Sequence, residues 1–140
     1  MKIAFGTDEI TPLTKATLDI IEDLGHESYV VANGLAWPVV GKLVGEAVAH
    51  KRADRGVVIC TTGTGVSIAA NKVQGVRASL CTDAVTAECA RRWNDANVLA
   101  FGLRLTTQTV VREMLTAFFE TLVDEDAVEL IRQIEPNLNS

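Results

Sequence analysis

Short apolar runs return along the chain at intervals that leave room for one helix between them. They fall at Lys2–Phe5, Glu27–Val31, Arg55–Cys60, Val76–Cys81 and Val98–Phe101. Runs of this length, with turn residues around them, predict buried strands. The segments between keep helical spacing. Thr11 is a suitable cap and Pro12 a suitable first residue for a helix to about Leu24, with Leu13, Thr17, Ile20, Ile21 and Leu24 on one side and Gly25 as its stop. Pro38 opens a second helix to about Ala53, with Val40, Leu43, Val44, Ala47 and Val48 apolar. Val66–Val73 predicts a third helix, ended by Gly75, and Thr82 or Asp83 caps a fourth that runs to about Trp93. Thr107–Leu122 is amphipathic, with Val110, Val111, Met114, Leu115, Phe118, Phe119 and Leu122 facing inward. An acidic helical segment follows at Asp124–Glu135, and 136–140 is expected to fray. Strands alternating with helices imply an α/β domain spanning 1–140. Its expected architecture is a three-layer, doubly wound, Rossmann-like sheet of about five parallel strands with helices on both faces.

One stretch, Gly56–Lys72, combines three of these features. Val57, Val58 and Ile59 form the strand, Cys60 ends it, and Thr61-Thr62-Gly63-Thr64-Gly65 turns into the following helix. Such an arrangement aims free backbone N–H groups and the positive end of a helix at one point. Ligands of open α/β sheets bind beyond the carboxyl ends of the strands. The residues at those ends are Asp8 and Glu9, Asn33, Cys60 to Gly65, Cys81 to Asp83, and Gly102 to Arg104.

Composition narrows the partners. The chain has 140 residues and a net charge of -5, with no basic stripe of the kind that grips nucleic acid. No apolar run is long enough for a bilayer helix, and the amino terminus reads as a first strand rather than a signal peptide. Three cysteines, an odd number without zinc-type spacing, fit free thiols in a cytoplasmic protein.

Cys60, at a helix N-terminus, suits a thiolate acting as nucleophile or as proton-transfer base; the alternative is a small buried apolar residue. Cys81 could line the cleft, and Cys89 falls mid-helix. Gly63-Thr64-Gly65 lacks the third glycine of a dinucleotide fingerprint and follows the third strand, so an anion nest is favoured over a nicotinamide cofactor. Asp8 is either an acid/base group or a turn cap, and Glu9 reads as solvated. His26 and His50 lie away from the cleft, which leaves no histidine for a triad or a metal, and Lys72 and Arg77 read as surface or helix-end charges.

The run from Gly56 to Arg104, with MKIAFGTDEI and Leu24-Gly25-His26-Glu27, resembles the ribose-5-phosphate isomerase B / galactose-6-phosphate isomerase family over nearly the whole chain. Its most specific parts are Cys60, Gly63, Gly65, Ser67 to Lys72 and Asn94 to Ala100. The resemblance implies an aldose–ketose isomerase that works through a cis-enediolate without metal or cofactor. The residue matching Cys60 moves the proton. Thr62 and the amides of Gly63, Thr64, Gly65 and Ser67 stabilise the enediolate, and Asp8 and Asn94 hold hydroxyls. It also implies a homodimer, or a tetramer, whose active site lies at the subunit interface, with the segment at about 124–135 packed on a partner.

The departures fall in the site. Glu9 and Trp93 stand where the family usually has histidines, the latter credited with ring opening. Thr61 replaces a glycine, and Ala36-Trp37-Pro38-Val39 replaces Asp-Tyr-Pro-Asp. The basic carboxyl-terminal motif that grips phosphate is replaced by Asp124 to Glu129, with Arg132 out of register. Each charge-assisted bond lost to a phosphate is worth about 1.5–3 kcal/mol. The expectation is therefore an isomerase of a sugar or sugar phosphate with altered specificity, Trp93 stacking on the substrate or packing at an interface. The alternatives are a conventional ribose-5-phosphate isomerase with phosphate held by Arg104, Arg91 or Arg92, and an inactive member with a binding or regulatory role.

Overall fold

A computed structural model describes residues 1–135; the expectation for 136–140 lies outside the described residues. The elements are β1 (Lys2–Thr7), α1 (Pro12–Asp23), β2 (Glu27–Asn33), α2 (Trp37–Ala49), β3 (Arg55–Cys60), α3 (Thr64–Asn71), β4 (Ala78–Leu80), α4 (Ala84–Asn94), β5 (Val98–Gly102), α5 (Gln108–Glu120) and α6 (Val128–Ile131). The five strands form one parallel sheet in the order β2-β1-β3-β5-β4. The chain moves outward from β1 to β2 and then returns past β1 to β3, so strand order reverses between β1 and β3.

The two faces of the sheet are built from different side chains. Ile3, Phe5, Ile59, Leu99 and Phe101 meet Ile20 and Ile21 of α1, Ala87 of α4, and Val111, Met114, Leu115 and Phe118 of α5. Burying each large side chain contributes about 1.5–3 kcal/mol. The opposite face is made of small residues, among them Ala4, Val58, Cys60, Val98 and Ala100, against Val40, Val44, Ala47 and Val48 of α2 and Val66 and Ala70 of α3. Small residues let α2 and α3 approach closely. A methyl group built on Gly41 would lie 2.5 Å from Ala69 Cβ, and one on Gly56 2.6 Å from a methyl of Val44.

Several boundaries differ from the sequence reading. β1 and β2 run two residues further, to Thr7 and Asn33, so Gly6 and Thr7 belong to a strand rather than a turn. The space at Gly6 belongs to Val40 and Val44, which a methyl group there would meet at 2.8 Å. α2 stops at Ala49, not Ala53: Lys51 takes a left-handed φ of 60°, and the Lys51 and Arg52 N–H groups return to the carbonyls of Val48 and Ala47. β4 keeps only three residues. α5 ends at Glu120, which leaves Leu122 exposed at 77% instead of facing inward. The acidic segment is not one helix but a 3-10 turn at Glu125–Ala127 followed by the single turn of α6. It packs on α4 of its own chain, burying Ala127 and Ile131.

Both sheet edges are plugged by side chains. At β4 the Asn71 amide donates to the Ala78 carbonyl at 2.9 Å and its oxygen accepts the Ala78 N–H at 2.7 Å. At β2 Glu22 accepts from the N–H and the hydroxyl of Ser28. Among the described residues no helix is long and apolar enough to cross a membrane.

Candidate active site

The reversal of strand order between β1 and β3 puts the candidate site at their carboxyl ends. Thr7 pairs with Ile59, and the Asp8 N–H donates to the Ile59 carbonyl at 3.2 Å. Asp8 follows Thr7 and Cys60 follows Ile59, so the two leave the carboxyl ends of adjacent strands together. Alternation brings both side chains to the α2/α3 face, because Ala4 and Gly6 precede Asp8 on that face and Val58 precedes Cys60.

Cys60 is 5% exposed, and the Gly63 N–H donates to its Sγ at 3.2 Å. Gly63 caps α3 with a φ of 78°, a conformation that favours glycine. The turn is also pressed against the end of β5. A methyl group on Gly102 would lie 2.4 Å from the Thr62 carbonyl carbon, and one on Gly63 2.6 Å from the Phe101 backbone. The Arg104 N–H holds the Thr61 carbonyl at 3.0 Å. The turn is thus fixed by backbone on both sides.

These bonds decide which amides remain free. Gly63 N–H serves Cys60, Thr64 N–H faces Thr62 Oγ1 at 3.4 Å, and Ser67 N–H serves the Gly63 carbonyl. Among the described residues the N–H groups of Gly65 and Val66 have no acceptor. The free donors are therefore fewer than the run from Gly63 to Ser67 suggests. Thr62 is exposed, with its hydroxyl beside this first turn.

Asp8 Oδ1 is buried without a hydrogen-bond partner. Burial first, and then the charge of Glu9, push the Asp8 carboxyl above its ordinary value, with backbone N–H groups partly offsetting them. A buried oxygen without a donor, next to a thiol, is a place for a ligand hydroxyl. Glu9 is exposed, and its carbonyl accepts from the Thr7 hydroxyl at 2.7 Å, which shapes the turn.

The structure does not bring every sequence-derived candidate here. α4 runs back from the carboxyl edge of the sheet to the amino edge, so Trp93 and Asn94 lie at the opposite end of the strands from Cys60. Both are exposed, and the Asn94 side chain makes no hydrogen bond among the described residues. Cys81 directly follows the edge strand, and burial raises its thiol pKa; Cys89 is half-buried on α4. Among the described residues no three His, Cys, Asp or Glu side chains gather as metal ligands would.

The arginines are distributed unexpectedly. Arg77, read as a surface charge, is largely buried: it donates to the Asp95 carbonyl at 2.9 Å and carboxylate at 3.2 Å, with Glu135 at 4.0 Å. Arg91 is 6% exposed and donates to Asp95, the Ala96 carbonyl and the Thr121 carbonyl. Arg92 pairs with Asp124 and Glu88. Arg55 donates to the Phe118 carbonyl, and burial followed by the charge of Arg91 lowers it to about 10. All four belong to the amino edge or its flank, and Arg132 pairs with Glu129. Of the arginines weighed as phosphate holders, Arg104 alone stands at the carboxyl edge, exposed beside the Cys60 turn.

Two residues important to this geometry carried little sequence signal. Trp37 lies on Gly65, where a methyl group would come within 2.9 Å of the indole, and Gly102 gives the turn its space. A glycine closing a strand just before an arginine was the available sign for the second. The larger grooves of the single chain lie elsewhere. One of about 480 Å³ runs between α2 and α3, lined by Trp37, Ile68 and Lys72. Another of about 410 Å³ is lined by Asn71, Arg77, Asn94 and Glu135.

Comparison with known proteins agrees with this fold. The family model described as Ribose/Galactose Isomerase matches residues 3–134. The chain is 38% identical over 127 residues to the galactose-6-phosphate isomerase subunit LacB of Clostridium acetobutylicum, covering 86% of this chain and 72% of that protein. It is 36% identical over 149 aligned positions to ribose-5-phosphate isomerase B of Escherichia coli, covering 99% of each. The solved structure of the Trypanosoma brucei type B ribose 5-phosphate isomerase superposes with a TM-score of 0.90 at 34% identity, covering 97% of each chain. With a matched motif set, a shared fold and relatives aligned from end to end, the chain belongs to the ribose/galactose isomerase family.

Proposed function

We propose that the chain is an aldose–ketose isomerase of a sugar or sugar phosphate in which Cys60 carries a proton through an enediolate. One observation carries this reading: Cys60, the partnerless oxygen of Asp8 and the free amides of Gly65 and Val66 converge at the strand-order reversal. The Cys60 thiolate takes the proton from the carbon next to the carbonyl. The electron pair of that C–H bond forms the carbon–carbon double bond, and the carbonyl oxygen takes the negative charge. A proton then passes from the neighbouring hydroxyl to the former carbonyl oxygen, and the thiol returns its own proton to the former carbonyl carbon as the neighbouring oxygen becomes the new carbonyl. The free amides and the Thr62 hydroxyl stabilise the developing oxyanion, and Asp8 accepts from a substrate hydroxyl.

Trp93 and Asn94 belong to the same reading only if a second copy supplies them. Their place at the opposite edge, both exposed, supports a homodimer whose amino edge completes its partner's carboxyl edge. The exposed Leu130 and Ile134 on the acidic segment give that contact an apolar component.

The substrate differs from that of a conventional member. Arg77, Arg91, Arg92 and Arg132 are each engaged by acids of the chain, which leaves Arg104 as one guanidinium near Cys60. This supports a substrate that is open-chain, smaller, or not phosphorylated in the usual place. Solvent-deuterium exchange into a panel of sugars and sugar phosphates tests the chemistry: exchange is expected in the unsubstituted protein and absent in Cys60→Ala. The second reading, ordinary ribose 5-phosphate turnover with Arg104 on the phosphate, is favoured by the end-to-end match to the Escherichia coli enzyme. Rapid turnover of ribose 5-phosphate, against slow turnover of a four-carbon sugar phosphate, would decide for it.

A further inference from the structure

The turn after α4 is more tightly bound than its polar sequence suggests. Asp95 takes a left-handed conformation, φ 46° and ψ 43°, at the end of that helix. Its carboxylate lies between two guanidiniums, accepting from Arg91 at 2.8 Å and from Arg77 at 3.2 Å. Arg77 also holds the Asp95 carbonyl at 2.9 Å, and Arg91 holds the Ala96 carbonyl at 2.6 Å. Asn97 is fixed as well: its oxygen accepts the Arg77 N–H at 2.8 Å and its amide donates to the Gly75 carbonyl at 2.9 Å. The side chains of Asp95 and Asn97 are thus bound from two elements. The two side chains just before them, Trp93 and Asn94, are exposed, and Asn94 has no hydrogen-bond partner among the described residues. The Arg92 guanidinium lies 6.0 Å from the centroid of the Trp93 ring, so a turn anchored on both sides carries an exposed indole and an exposed amide whose backbone is fixed.

We propose that Asp95, held between Arg77 and Arg91, is a positioning residue that sets the orientation in which Trp93 and Asn94 are offered to the Cys60 cleft of a second copy. This rests on the reading that Asn94 serves a partner's site. Asp95 does not touch substrate. It acts through the backbone it shares with Asn94 and through the two arginines that tie that backbone to the start of β4 and to the turn before β5. Its charge matters because Arg91 is buried and has no other acid within salt-bridge reach among the described residues.

Asp95→Asn is the informative variant. Asparagine tolerates the left-handed conformation, so the turn keeps its backbone while the bridge loses its charge. Two tryptophans are present in the chain, so a Trp37→Phe parent leaves Trp93 as the reporter. In that parent Asp95→Asn is expected to lower Trp93 fluorescence anisotropy and to leave the alkylation rate of Cys60 by iodoacetamide unchanged. With ribose 5-phosphate and a four-carbon ketose phosphate as probes, kcat/KM should fall roughly ten- to a hundredfold. In an Asn94→Ala background the same substitution should cost little more, since the group being positioned is already gone; a purely structural role would add its full effect there. Unchanged anisotropy together with unchanged kcat/KM, in a parent that turns over a probe, would overturn the positioning role alone. A parent that exchanges no proton with either probe, with anisotropy still lost in Asp95→Asn, would overturn the isomerase reading and uphold the bridge as an orienting device. Asp95→Gly, which also fits the backbone, should reproduce the asparagine variant; full activity in it would count against the bridge.

Discussion

The two edges of the sheet are built on opposite electrostatic plans. At the carboxyl edge polar groups are left without partners: a carboxylate oxygen of Asp8 and the amides of Gly65 and Val66. At the amino edge charges are matched. Asp95 bridges Arg77 and Arg91, Asp124 meets Arg92, and Arg55 donates to a carbonyl over the Phe118 ring. The buried Asp8 oxygen loses water on folding and gains no partner from the chain, and the two amides have no acceptor within it. The charges at the amino edge gain their partners from the fold itself. Both edges belong to one sheet, so the contrast separates groups left open within the chain from groups closed by it.

The comparison breaks most sharply at Cys60. Cys60→Ala is expected to cost at least about a hundredfold in proton exchange, with melting temperature little changed, read by deuterium incorporation and thermal melting. At the amino edge the signs reverse. Arg91→Ala removes a cation from a buried bridge and should cost about 3 kcal/mol in a denaturant titration, with the alkylation rate of Cys60 unchanged and kcat/KM lowered through the loss of the Asp95 bridge. Gly102→Ala sharpens the first half, since its methyl group would strike the Thr62 backbone rather than a movable side chain. A loss of about 1–3 kcal/mol is expected, with activity falling further than stability explains.

Smaller effects follow at Asp8. Its carboxyl is raised in the folded state, so ionisation opposes folding; the stability it withholds is restored below the unfolded value and lost as pH rises through the folded one. Asp8→Asn should therefore raise the melting temperature slightly at pH 7, the gain shrinking toward pH 4, while turnover drops. A gain independent of pH would contradict the burial account. Asp124→Asn is the smallest: the pair with Arg92 is partly open to solvent, and melting should barely move.

Much of the carboxyl edge was legible in the sequence because its signals are local. An apolar run, a cysteine, two glycines and a short helix follow one another within Gly56–Lys72, and the structure keeps that order. The closeness of Asp8 to Cys60 required strand register, which sequence periodicity leaves open. The amino edge was misread for a different reason. Arg77 looks like a helix-end charge and Arg91 like a candidate phosphate holder until Asp95, Ala96 and Thr121 close around them, an enclosure that sequence periodicity does not show. Trp93 and Asn94 stand at the other edge of the sheet from the Cys60 of their own chain, because a helix that follows a strand ends there. Leu122 followed helical spacing past the point where α5 stops.

The Asn71 plug on β4 bears on how copies can meet. Its amide reproduces, from a side chain, the paired donor and acceptor that a sixth strand would bring to Ala78. A second copy cannot extend the sheet at that margin without first evicting Asn71, and the three-residue strand offers little backbone in return. Growth into a continuous β-ribbon at that margin is thereby disfavoured, and any contact between copies falls to helices and loops.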